Sequence, residues 1–331
     1  MHMDQDGQLT FNDDPLLTGS NEAFRSIEEG DFSAAVEKLD ELMSVNPDYP
    51  GLAEGYRAAK FWQNRQNTID ELQDGKETAD FLMKQWEKFS GYAQEKNLTG
   101  STAYNATMRY IFFTASEHYK IAFNDRENPT DNFTLLMQLG TCFLRLGEYA
   151  HTIEALEYAR SSYRSNAPLL ALLGEAYFHK GDIPKSLLYF REAFLIDPSE
   201  VDLSLVNARP IMDIIAIIEQ ERPDLEDVRE WVPVYGTIHD IFYVKRHLNS
   251  QQVEQLKREI YTLEQNYQTM SKDRIQASNI VPRLVNKYLW MLDYFEFQNY
   301  DFESITEIRT RLLAIDRELF EPYFKNKPGL S

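Results

Sequence analysis

Two stretches of this sequence echo each other at an interval of 34 residues. One reads LGTCFLRLGEYAHTIEALEYA from Leu139, the other LGEAYFHKGDIPKSLLYFREA from Leu173. Gly140 and Gly174 correspond, as do Phe143 and Tyr177, Gly147 and Gly181, and Ala159 and Ala193. A fixed period of this length is the mark of stacked helical hairpins, because one such unit cannot bury its apolar face alone and neighbours must cover it. The feature restricts the chain to an all-α architecture and leaves open what the array binds.

Apolar residues elsewhere also recur at helical spacing. Ala23, Phe24 and Ile27 form one stripe and Ala35, Val36, Leu39 and Leu42 a second, with Gly30-Asp31-Phe32 between them and Pro47 after. Residues 52–69, 76–96 and 103–123 read as long helices, the last rich in aromatic rings. From Leu203 to Ile218 a run apolar on most sides contains Pro210, which predicts a bend or break. Val253, Leu256, Ile260, Leu263 and Tyr267 alternate by three and four, a short heptad seam that fits either a helix pair within the chain or a homo-oligomer contact. Residues 280–297 and 305–315 read as the last helices. The resulting division is a mobile arm at 1–20, N-terminal helices at 21–126, the repeats with an apolar helix at 127–222, and a C-terminal helical region at 223–331.

Residues 133–198 resemble two tandem tetratricopeptide repeats. Leu136, Leu139-Gly140, Phe143, Gly147-Glu148-Tyr149, Thr152, Leu156 and Ala159 carry the pattern in the first, with Arg164 where the pattern has proline. Leu170, Leu173-Gly174, Tyr177, Gly181-Asp182-Ile183, Ser186, Phe190, Ala193 and Pro198 carry it in the second. Residues 19–47 and 289–316 are similar but degenerate. The resemblance implies an α-solenoid of helical hairpins that binds a protein segment on its concave face. Carried onto this chain, the candidate contacts are Thr134, Met137, Thr141, Leu144 and Arg145 in one repeat and Ala171, Glu175, Phe178 and His179 in the next. A chaperone-binding subfamily uses Lys and Asn on these faces. Met137, Thr141, Ala171 and Glu175 stand there instead, so carboxylate capture is not expected. A mixed apolar and acidic face favours an amphipathic or basic helix, unless the chain's own helices fill it.

Charge narrows the partners further. With 53 acidic against 34 basic residues the net charge is −19, which opposes binding to nucleic-acid phosphates or anionic membranes. The densest basic cluster, Lys245-Arg246-His247, reads as a solvated helix end. No apolar run reaches the roughly 20 residues of a membrane-spanning helix. Cys142, the sole cysteine, lies among apolar neighbours and reads as an inert packed thiol. The six histidines show no zinc spacing, and neither a nucleophile elbow nor a phosphate-binding glycine loop is present. Met1-His2-Met3 has the look of an expression scar. The expected compartment is cytoplasmic if this start is native and periplasmic if a signal was trimmed.

The sequence therefore predicts a non-catalytic, cofactor-free scaffold or adaptor that binds a protein and fits a place in an assembly of several subunits. The alternative is a small-molecule binder using the aromatic rings of 104–123 and 231–243.

Overall fold

A computed structural model describes residues 14–73, 75–125, 132–225, 227–245, 247–276 and 278–326, and the backbone of 2–3 and 9–10. Apart from a two-residue antiparallel pairing of His2–Met3 with Leu9–Thr10, the regular structure is helical: the fold is all-α. The chain forms two compact units, Met1–Ala155 and Leu156–Ser331, dividing inside a helix of the first repeat rather than at 126/127 or 222/223. Most of the expected arm and the Asn128-Pro129 boundary lie outside the described residues. Residues 15–20 are already helical.

The first unit contains α1 (Pro15–Glu29), α2 (Phe32–Val45), α3 (Leu52–Glu71), α4 (Lys76–Glu95), α5 (Thr102–Asn124) and α6 (Asn132–Leu146), and α7 (Tyr149–Ser162) begins in it. Chain neighbours pack as pairs, the packing of a solenoid-like fold, and α5 also returns onto α1 and α3. At α1, Arg109 of α5 pairs with Glu28 at 3.0 Å, and the Tyr110 ring lies so close to Gly30, the residue that ends α1, that a Cβ there would collide with it. The α5 rings also pack on other helices: Tyr110 meets Phe32 of α2 edge-on at 5.3 Å, and Phe112 and Tyr104 lie 5.1 and 5.2 Å from Trp86 of α4. Trp62, Phe89 and Phe112 are essentially inaccessible. Burying each such ring contributes about 1.5–3 kcal/mol. The rings at 104–123 that the small-molecule alternative invoked are thus largely packing groups.

One turn recurs between helices. Gly30, at φ +82°, ends α1: its N–H donates to Ile27 O at 3.1 Å, and Asp31 N–H donates to Ser26 O at 2.9 Å. Asp31 then caps α2, its Oδ1 accepting from Ala34 N–H at 2.9 Å. Gly147 (φ +77°) and Glu148 repeat the backbone pattern onto Leu144 O and Phe143 O at 3.1 and 2.8 Å. Gly181 (φ +82°) and Asp182 repeat it onto Phe178 O and Tyr177 O at 2.9 and 3.0 Å, and Asp182 caps the following helix through Lys185 N–H. A left-handed residue that closes one helix, followed by an acid that opens the next, reverses the chain within two residues. Glycine is required because a side chain at positive φ is strained.

The second unit holds α8 (Ala167–His179), α9 (Ile183–Ile196), α10 (Arg209–Glu221), α11 (Val232–Ile238), α12 (Ser250–Thr269), α13 (Lys272–Gln276), α14 (Ile280–Asp293), α15 (Phe302–Ile315) and α16 (Arg317–Asn326). A Cβ on Gly174 would lie 2.8 Å from the Phe190 ring, so α8 and α9 approach as closely as glycine allows. Pro210 stands in the first turn of α10 instead of bending a longer helix, because 203–205 forms a separate 3-10 turn. Helix α10 is amphipathic rather than apolar all round: Ile211, Ile214, Ile215 and Ile218 are buried while Met212 is 44% exposed. Helix α14 is central, buried along nearly its whole length and packed against α11, α12 and α15.

Candidate functional site

A groove in the second unit is built around the end of α9. Pro198 keeps Asp197 extended (φ −156°, ψ 102°), which stops α9 at Ile196. The last helical carbonyls then lack partners within the helix. Helix α14 supplies them: Asn286 Nδ2 donates to Phe194 O at 3.1 Å and Lys287 Nζ to Leu195 O at 2.8 Å. With its polar end satisfied from below, the tip of α9 presents Ile196 at 39% exposure.

Helix α12 forms the facing wall. Asn249 and Gln252 make a reciprocal capping box at its start. Val253, Leu256 and Ile260 are buried, and α12 packs on α14. The first three seam positions are therefore packed inside the chain, the helix pair that the spacing left open. Leu263 and Tyr267 are only half-buried, and Leu263 faces the groove. Two adjoining clefts of about 370 and 550 Å³ share Leu195, Ile196, Gln255, Glu259 and Lys287 as lining, forming one groove across the α9 tip.

The groove's cations divide into two kinds. Lys287 pairs with Glu259 at 2.9 Å. Arg283 pairs with buried Glu230 and lies 3.8 Å from Asp197; its hydrogen bond to Glu230 raises the guanidinium pKa. Arg164 and Arg258 are exposed and pair with no carboxylate among the described residues.

The predicted concave-face residues are distributed differently. Thr134, Met137, Thr141, Leu144 and Arg145 belong to the first unit, where Thr134 is exposed, Leu144 is buried, and Thr141 Oγ1 donates to its own helix at Met137 O. Ala171, Glu175, Phe178 and His179 belong to the second. Ala171 is buried, and Glu175, only 1% exposed, accepts Asn207 and Ala208 N–H groups at 2.9 Å and hydrogen-bonds His179 at 2.9 Å. Glu175 is thus occupied by the chain's own 207–208 segment. A carboxylate inside an otherwise apolar helix was the available sequence signal. Ile196, Arg164 and Arg258 carried no such signal, since nothing local brings 164, 196 and 258 to one groove.

Cys142 is buried, and burial pushes its thiol up to about 12. Lys245 pairs with Asp293 at 2.9 Å, beside buried Arg191; Arg246 lies outside the described residues. His118 Nδ1 accepts Gly75 N–H at 3.2 Å. Among the described residues no group of three or more His, Cys, Asp and Glu side chains is placed to hold a metal ion, and no helix is long and apolar enough to cross a membrane. No family model, curated protein or solved structure matches the chain.

Proposed function

We propose that this chain is a non-catalytic scaffold or adaptor of tetratricopeptide type that binds a protein or peptide segment within a multi-subunit assembly. The observation that carries this reading is the recurrence of one hydrogen-bonded hairpin turn at Gly30-Asp31, Gly147-Glu148 and Gly181-Asp182. Arrays of such hairpins expose long surfaces built from successive repeats, and those surfaces serve recognition. The close helix approach at Gly174 and the groove at the α9 tip support the same reading.

The test is affinity capture of the tagged full chain from the native host, followed by cross-linking mass spectrometry. The expected result is one protein recovered near equimolar ratio, with cross-links to a defined face. Recovery of no specific protein would count against the proposal, as would stabilisation by a metabolite fraction with no protein bound.

A further inference from the structure

The groove at the α9 tip carries a charge opposite to that of the protein. Its lining holds four cations, Arg164, Arg258, Arg283 and Lys287, against two anions, Asp197 and Glu259, in a chain of net charge −19. Arg283 and Lys287 are neutralised by their pairs with Glu230, Asp197 and Glu259. With Glu230 counted beside the lining, the excess is one positive charge, and the guanidiniums with no carboxylate partner among the described residues are the exposed Arg164 and Arg258.

Two helix ends bear on the same space. The 20-residue helix α12 lines the groove along its flank, with its N-terminal residues Asn249 and Gln252 at one end, and helix N-termini carry partial positive charge. The C-terminal end of α9 would repel an anion, but Asn286 and Lys287 hydrogen-bond its last carbonyls. The lining common to the two clefts includes apolar Leu195 and exposed Ile196 beside Gln255 and the Glu259–Lys287 pair, and Leu263 adds apolar surface to the cleft that holds Arg258.

We infer that this groove binds an acidic peptide segment of a partner protein, with carboxylates on Arg164 and Arg258 and an apolar side chain seated between them against Ile196. The inference rests on the scaffold reading and specifies its ligand. It differs from the basic or amphipathic helix expected for the concave face, because this groove lies at the end of a hairpin and not along that face. Guanidinium forks suit paired carboxylate oxygens. A positive island on an acidic protein also steers an acidic segment toward itself while the remaining surface repels it.

Fluorescence polarisation on the full-length protein tests this. The probes are short fluorescein-labelled peptides with Asp and Glu flanking a central Leu or Phe, matched peptides with Lys flanks, and a short single-stranded RNA. Binding is expected for the acidic peptides alone, weakened by added salt and reduced when the central residue is Ala. Arg164→Glu with Arg258→Glu, both exposed and checked by circular dichroism, should weaken acidic-peptide binding at least about tenfold and create affinity for the Lys-flanked set. Ile196→Asp should abolish dependence on the central residue. Equal binding of acidic and basic peptides, preference for RNA, or indifference to the double substitution overturns the inference. A protein captured from the native host through a neutral or basic segment would overturn it while leaving the scaffold reading intact.

Discussion

Replacing Gly174 and Gly91 by alanine, one at a time, makes the same chemical change at two helical positions with opposite expected signs. Both sites gain about 0.8–1 kcal/mol of helix propensity. At Gly91 in α4 the new methyl meets nothing within 4 Å, so Gly91→Ala should stabilise by about 0.5–1 kcal/mol. At Gly174 the methyl would sit 2.8, 2.9 and 3.0 Å from three atoms of the Phe190 ring. That ring is fully buried and cannot swing aside, and overpacking of this kind costs about 1–3 kcal/mol. The net effect of Gly174→Ala is then a loss of about 1 kcal/mol, and the two variants should differ by about 2 kcal/mol. Urea unfolding followed by circular dichroism measures the sum, and hydrogen exchange of the α8 amides localises it to the second unit. In a Phe190→Leu background the clash is relieved, and Gly174→Ala should become neutral or stabilising, a coupling read by the double-mutant cycle. If Gly174→Ala stabilises the native background as much as Gly91→Ala does, the close α8–α9 approach is refuted.

Other expectations concern single groups. Asp182→Ala removes the cap on α9 and should cost about 1 kcal/mol in the same unfolding assay, whereas Asp182→Asn should retain most of it. Cys142, buried and raised to about 12, should resist a thiol reagent at neutral pH until denaturant is added; rapid labelling of the folded protein would contradict its packing. Burial, reinforced by a hydrogen bond to the Glu264 carboxylate, raises Tyr288 from 10.0 to about 12. Between those values the folded form keeps a proton that the unfolded chain releases, so stability falls as pH rises across this window. Tyr288→Phe should flatten that alkaline decline, and an unchanged slope would assign the decline to other groups.

The parts legible in the sequence were those set by local chemistry. The Gly-acid dipeptides at 30–31, 147–148 and 181–182 fix backbone turns through bonds that span at most five residues, so their spacing alone revealed the hairpins. Proline positions were seen but their effect was not always foreseen: Pro210 opens α10, because an N–H in the first turn has no acceptor within the helix and proline gives up no helix bond there. The return of α5 onto α1 brings Tyr110 against Gly30 and Arg109 to Glu28, contacts with no periodic trace. The groove was hidden for the same reason. Arg164, Ile196 and Arg258 lie far apart in the chain, and only the packing of α9, α12 and α14 assembles them. The seam on α12 was visible as a pattern, but a pattern of three and four does not say which helix it meets; the structure gives α14.

A photo-cross-linking amino acid at position 196 in the full-length protein, expressed in the native host, measures most directly whether the α9 tip is a recognition surface. A matched substitution at Val45, exposed on the first unit, serves as the control. The account predicts one dominant protein adduct at 196, absent at 45 and lost when Arg164 and Arg258 are both changed to Glu. Equal labelling from both positions, or no adduct at 196 while another face yields one, would contradict it.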